Sequence, residues 1–127
     1  MASGLPMRQG YLMIAGMQCK GKKYSGWYNV GPDEKECLQT GVLVDIFMNK
    51  WGSGIKRLDK YAGGPHEANF LKLDCSRLKS VFGWKPRWKL DKAIEKTVEL
   101  AKEWQKGSDL NAVMKKQINE FICAGEK

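Results

Sequence analysis

His66 and Glu67 place the chain's only imidazole beside a carboxylate. Those side-chain types can share general acid and base work or hold a ligand. Adjacent residues point in different directions, however. The second histidine of an H-E-x-x-H helix is also absent, so a zinc-protease arrangement fails. Gly63-Gly64-Pro65 precedes the pair, and that composition describes an ordinary surface loop equally well. A second cluster, Trp84-Lys85-Pro86-Arg87-Trp88-Lys89, interleaves rings with cations. Such a run can stack bases and hold phosphates. It can equally be a connection between helices whose tryptophans enter the core, with Pro86 setting the turn. Lys20-Gly21-Lys22-Lys23 reads as a solvated helix end.

Cys19, Cys37, Cys75 and Cys123 include no C-x-x-C pair, and one histidine is too few for a clustered zinc site. The expectation is four reduced thiols, no metal and a cytoplasmic location. No G-x-x-x-x-G-K-[ST] loop and no G-x-G-x-x-G turn is present, so no phosphate cradle of either type is expected. The residues taken alone therefore specify no catalytic constellation and no cofactor.

The 127 residues suit one domain, with 43% hydrophobic and 28% charged residues, as in an ordinary globular chain. No apolar run approaches the length of a membrane span, so no membrane partner is expected. The net charge of +8 points toward an anionic partner without choosing a nucleic acid, a phosphate-bearing ligand or an acidic protein.

Several elements must position these residues. Met7 to Cys19 is apolar nearly all round and predicts a buried helix. Gly41 to Trp51 predicts a second, capped by Thr40 and stopped by Gly52. A brief helix capped by Asp74 or Ser76 ends at Gly83. Leu90, Ala93, Ile94, Thr97, Val98, Ala101 and Trp104 recur at helical spacing and predict a fourth. After Gly107, Ser108 or Asp109 caps a fifth, with Leu110, Val113, Met114, Gln117, Ile118, Phe121 and Ile122 inward. Trp27 to Val30, Ile55 to Leu58 and Phe70 to Leu73 have strand composition. The expected class is α/β or α+β, a small sheet of short strands covered by about five helices. Residues 1–9 read as a tag or divergent leader, and 10–127 as a single domain.

His66-Glu67-Ala68-Asn69-Phe70-Leu71-Lys72-Leu73-Asp74-Cys75-Ser76, followed by Phe82-Gly83-Trp84-Lys85-Pro86, goes further. This pattern resembles the C-terminal region of extended short-chain dehydrogenase/reductases that act on nucleotide sugars, and the CDP-glucose 4,6-dehydratases in particular. Gly10-Tyr11-Leu12, Tyr28-Asn29-Val30-Gly31-Pro32 and Gly107-x-Asp109 before Gln117-Ile118 agree with it. The resemblance implies that the loop before Leu73-Asp74 lies against a nucleotide and its diphosphate. Glu67 matches an acidic position that accepts bonds from ribose hydroxyls. Gly63 or Gly64 stands where many relatives carry an arginine, and His66 partly substitutes. Lys72, Lys85 and Arg87 are the cations that would offset Glu67.

The family's glycine-rich dinucleotide turn and its Tyr-x-x-x-Lys pair are both absent. The resemblance thus implies a substrate-binding region without its Rossmann domain, non-catalytic alone. Its expected site residues are Glu67, His66, Gly64 and Arg87, with a CDP-glucose-like nucleotide sugar bound weakly. A homo-oligomer, or a partner supplying the missing domain, would cover exposed apolar surface. An interaction module that has lost nucleotide-sugar binding is the alternative. On this reading a nucleic-acid partner is not expected.

Overall fold

The computed structural model describes residues 4–58 and 73–125. Its regular elements are five α-helices, α1 (Leu5–Gln18), α2 (Thr40–Trp51), α3 (Ser76–Phe82), α4 (Leu90–Gln105) and α5 (Leu110–Cys123). Single turns of 3-10 helix occur at Lys22–Tyr24 and Glu34–Glu36. The expected sheet is a misreading, because no β-strand occurs among the described residues.

Strand composition predicts a segment that fits a pleated, half-buried surface, but it does not supply a neighbour to pair with. Trp27 to Val30 runs without regular structure and is held by side chains. The Tyr28 hydroxyl donates to the Tyr24 carbonyl at 2.8 Å, and Asn29 Nδ2 donates to the Asp74 carbonyl at 3.0 Å. Ile55 to Leu58 follows Gly52 and Gly54, both at positive φ, and Arg57 reaches back to Asp45 on α2 at 3.1 Å. Of the third expected strand, Phe70 to Lys72 lie outside the described residues, and Leu73 is irregular.

Two aromatic centres hold the helices together. Leu78 is fully buried, and it packs with Val30 and Trp84 against Met7, Met13, Ile14, Tyr28 and Phe82. This hub joins α1, the extended segment and α3. Gly10 makes the close approach possible, since a Cβ there would stand 2.8 Å from Val30 Cγ1. In the second centre, Trp88 meets Phe121 edge to face at 5.0 Å, with Leu5 beside them. Helix α1 thus begins at Leu5, inside the expected leader, and spans from one centre to the other.

Helix α1 is not the buried helix its composition predicts. Only Pro6 and Gly10 are buried, and Leu12 is 75% exposed. An apolar surface all round supplies burial on whichever side finds a neighbour, and α1 has one. Helix α2 starts at Thr40, whose side chain makes no capping bond, and Gly52 ends it as predicted. Gly83 closes α3 at φ 63, the left-handed conformation that favours glycine at a helix C-terminus.

Helices α4 and α5 form an antiparallel hairpin around Gly107, at φ 73. Asp109 caps α5 through a 2.9 Å bond from the Asn111 amide. The α4 stripe holds at Ala93 and Val98, but Trp104 is 70% exposed. In its place the hairpin buries Lys96, which bonds Glu99 at 2.7 Å and Glu120 at 2.5 Å. Buried Gln117 donates to the Lys96 carbonyl at 3.0 Å. Helix α2 packs on the other side of α4, with Lys50 bonded to Asp91 at 2.8 Å.

Candidate functional site

A cavity of about 830 Å³ opens between the Pro32–Glu36 turn and the Leu73–Ser76 segment, with Lys79 and Lys89 completing its wall. Its size falls within the range of small-molecule sites. Each side is fixed locally. Pro32 and Asp33 lead into the 3-10 turn, where the Glu36 amide bonds the Asp33 carbonyl at 2.8 Å. Opposite, the Asp74 carboxylate accepts from the Ser76 amide at 2.9 Å and from Ser76 Oγ at 2.5 Å. The two sides are tied by Lys79 Nζ on Asp33 at 2.5 Å, and that bond raises the lysine's pKa.

The site is polar and mixed in charge. It offers the carboxylates of Asp33, Glu34, Glu36 and Asp74, the ammonium groups of Lys35, Lys79 and Lys89, and the Ser76 hydroxyl. The hydrogen bond from the Ser76 hydroxyl, with help from its amide, lowers the Asp74 pKa, so Asp74 is an ionised acceptor at neutral pH. Cys75 is the wall's thiol. Burial pushes its pKa up, with the Gly31 amide only partly offsetting this, so it is a neutral thiol and a poor nucleophile. No imidazole stands beside Ser76 or Cys75 among the described residues. These groups can hold hydroxyls and anionic oxygens.

Among the residues expected from sequence, Gly64, His66 and Glu67 lie outside the described residues, which resume at Leu73 on the cavity wall. Arg87 is exposed and is not on that wall. Its Nη1 donates to the Ile122 carbonyl at 3.2 Å, and its guanidinium lies 5.6 Å from the Phe121 ring centre, at the end of α5. Trp84 and Trp88, the rings of the aromatic–cation segment, are both buried. The residues that sequence reading missed are Asp33, Ser76, Lys79 and Lys89. Asp74-x-Ser76 carried a local signal as a cap. The Asp33–Lys79 pairing carried none, since nothing along the chain links a turn to a distant short helix.

Among the described residues no group of three metal-ligating side chains exists, and no helix is long and apolar enough to cross a membrane. All four cysteines are free.

No family model matches the chain. The chain is similar to a CDP-glucose 4,6-dehydratase of Salmonella typhimurium, 33% identical over 116 residues. That match takes in 91% of this chain and 32% of the relative, so the chain spans about a third of the relative's length.

Proposed function

We propose that residues 10–127 form the sugar-nucleotide-side part of a CDP-glucose 4,6-dehydratase-like protein, binding a CDP-glucose-like ligand weakly and inactive as a dehydratase on its own. The observation that carries this reading is the 33% identity across 91% of the chain. The cavity at Leu73–Ser76 supports it, because the chain that precedes Leu73 is the segment containing Gly64, His66 and Glu67. In this proposal the Glu67 carboxylate accepts from the ribose hydroxyls, and His66 and the Gly64 backbone approach the diphosphate. Arg87 contributes charge at longer range. Loss of activity follows from the missing dinucleotide turn and Tyr-x-x-x-Lys pair, since the reaction needs a hydride carrier held against the sugar. The protein acts in the cytoplasm, on this reading.

Titration with CDP-glucose followed by NMR tests the site. Shifts centred on residues 63–76 that weaken in Glu67→Ala are expected. No shift at millimolar ligand, or equal shifts in both proteins, overturns it. Formation of a 4-keto-6-deoxy sugar by the isolated chain overturns the claim of inactivity.

Exposed Leu12 and Tyr11 on α1 favour a second element of the proposal, self-association or a partner that covers this face. Ile14, on the same helix, is packed against the hub. Light scattering across a concentration series reads this out, and a monomer at the highest concentration counts against self-association.

A further inference from the structure

Residues 4–32 contain Arg8, Lys20, Lys22 and Lys23 and no acid, and residues 75–89 contain Arg77, Lys79, Lys85, Arg87 and Lys89 and no acid. These nine cations exceed the whole chain's net charge of +8, so the remaining residues together carry a net charge of −1. The two segments are distant in sequence but share one hub, through Ile14, Val30, Leu78 and Trp84. Of the nine cations only Lys79 has a carboxylate partner among the described residues. Folding thus sets Lys23 and Arg77 against the rings beside the hub without a carboxylate partner among the described residues, whereas Lys79 and Lys89 line the cavity with its carboxylates and Arg87 lies at the end of α5.

Aromatic rings are set among those charges. Lys23 Nζ lies 4.9 Å from the centre of the Tyr24 ring, which stacks on Phe82 at 5.7 Å. Phe82 meets Tyr28 edge-on at 4.9 Å, and the Arg77 guanidinium lies 5.1 Å from the Tyr28 ring. Gly26, at φ 146, lets the backbone pass against that guanidinium, where a Cβ would stand 2.5 Å from Nη2. The next residue, Trp27, is 89% exposed and makes no ring contact among the described residues. Its indole is therefore open to solvent, next in the chain to Gly26 and Tyr28, against which Arg77 lies.

We propose that this lobe binds single-stranded nucleic acid, a base stacking on Trp27 while Lys22, Lys23 and Arg77 meet the flanking phosphates. Stacking needs an open ring face and cations spaced along a backbone, and both are present here. A protein partner would be expected to meet a buried apolar centre with a polar rim. Trp27 is itself exposed and not central to an apolar patch, with Gly26 and Tyr28 on either side, Ser25 and Asn29 next, and Lys22 and Lys23 before them. The segment Trp84 to Lys89, which carries the same composition, cannot stack bases, because its indoles are inside the core.

Fluorescence anisotropy of a labelled oligothymidylate with the full chain, at about 50 mM salt, tests this. Binding is expected, and Trp27→Ala should weaken it at least about fivefold. Trp27→Phe keeps an aromatic face and should fall between the two. Lys22→Gln with Lys23→Gln should flatten the dependence of log affinity on log salt by about 1.4, whereas Lys115→Gln on α5 should leave affinity unchanged. No binding at low salt overturns the proposal. So does equal binding by the parent and Trp27→Ala, or a duplex bound as tightly as the single strand, since charge alone would then suffice. Anionic vesicles that retain the chain through Trp27, with no response to the oligonucleotide, would make the lobe a membrane-surface anchor and overturn it as well.

Discussion

The α1–α3 lobe and the α4–α5 hairpin handle charge in opposite ways. The lobe pairs one of its cations, Lys79, with a carboxylate, and it joins its elements through rings and aliphatic side chains, with Leu78 and Trp84 at the centre. The hairpin pairs its cations internally, through Lys92–Glu95, Lys106–Glu103 and the buried Lys96 cluster. Internal pairing leaves a surface little charge to offer a partner, and its absence leaves the lobe's charge free to act outward. The difference separates a hairpin whose charges are largely paired within it from a lobe whose cations, Lys79 apart, have no carboxylate partner among the described residues.

The largest effect is expected from emptying the hub. Trp84 is 2% exposed, and Trp84→Ala should destabilise the protein by about 3–5 kcal/mol, measured by urea unfolding. Hydrogen exchange should place the loss in α1 and α3 more than in the hairpin, which breaks the comparison if it does not. Trp84 Nε1 is buried without an acceptor among the described residues. Trp84→Phe should therefore cost less than the lost area implies, since it also removes an unpaired donor.

Lys96→Ala is the matching cut in the hairpin. It leaves Glu120 without this cation and Glu99 with Lys116 alone, at 3.6 Å. Both carboxylates keep partial access to water, so the expected loss is about 2–3 kcal/mol, below the full cost of a stranded buried charge. Gly10→Ala sharpens the account of the lobe. A new Cβ meets Val30 at 2.8 Å, and the overpacking should outweigh the better helix propensity, for a net loss of about 1–2 kcal/mol.

The smaller effects belong to pH and to capping. Burial disfavours the charge on Lys96, but its bonds to Glu120 and Glu99 outweigh this, and its pKa rises above 10.5. Burial likewise works against the Glu99 anion, and the bonds from Lys96 and Gln117 overcome it, so that pKa falls below 4.5. The Glu99 contribution is present above its unfolded pKa and is lost as pH falls through the lowered folded value. The Lys96 contribution is present below its unfolded pKa and is lost as pH rises through the raised folded value. Stability measured against pH should therefore be flat near neutrality and fall at both extremes, and Lys96→Met should remove the alkaline fall assigned to this pair. Asp109→Ala should cost about 1 kcal/mol by removing the α5 cap, read by thermal unfolding.

The hairpin was legible in sequence because its apolar spacing, its breaking glycine and its capping aspartate all agree. Even there, Trp104 on α4 and Met114, Ile118 and Ile122 on α5 read as inward and are exposed, since helical spacing cannot say where the facing helix ends. Lys96 was missed for the complementary reason: a lysine reads as surface until a second helix brings it a carboxylate. The lobe was harder. Trp27 to Val30 has the right residues for a strand, but pairing is a long-range property that a four-residue run does not encode. At the candidate site, Leu73 to Ser76 was legible as a strand end with a cap, while the opposite wall at Asp33 became visible only in three dimensions.

The tight turn at Gly107 has a kinetic consequence. Lys96, Gln117 and Glu120 can meet once that turn forms, so the hairpin closes a short loop. Val30 and Leu78 meet only after the chain between them, including all of α2, has been brought round, which costs more loop entropy before any contact rewards it. The hairpin should therefore nucleate, and the lobe should condense onto it last through Leu5, Trp88 and Phe121. During synthesis the order of emergence is the reverse: α1 is made before α4 and α5, and its Leu5 end stays uncovered until Trp88 and Phe121 follow.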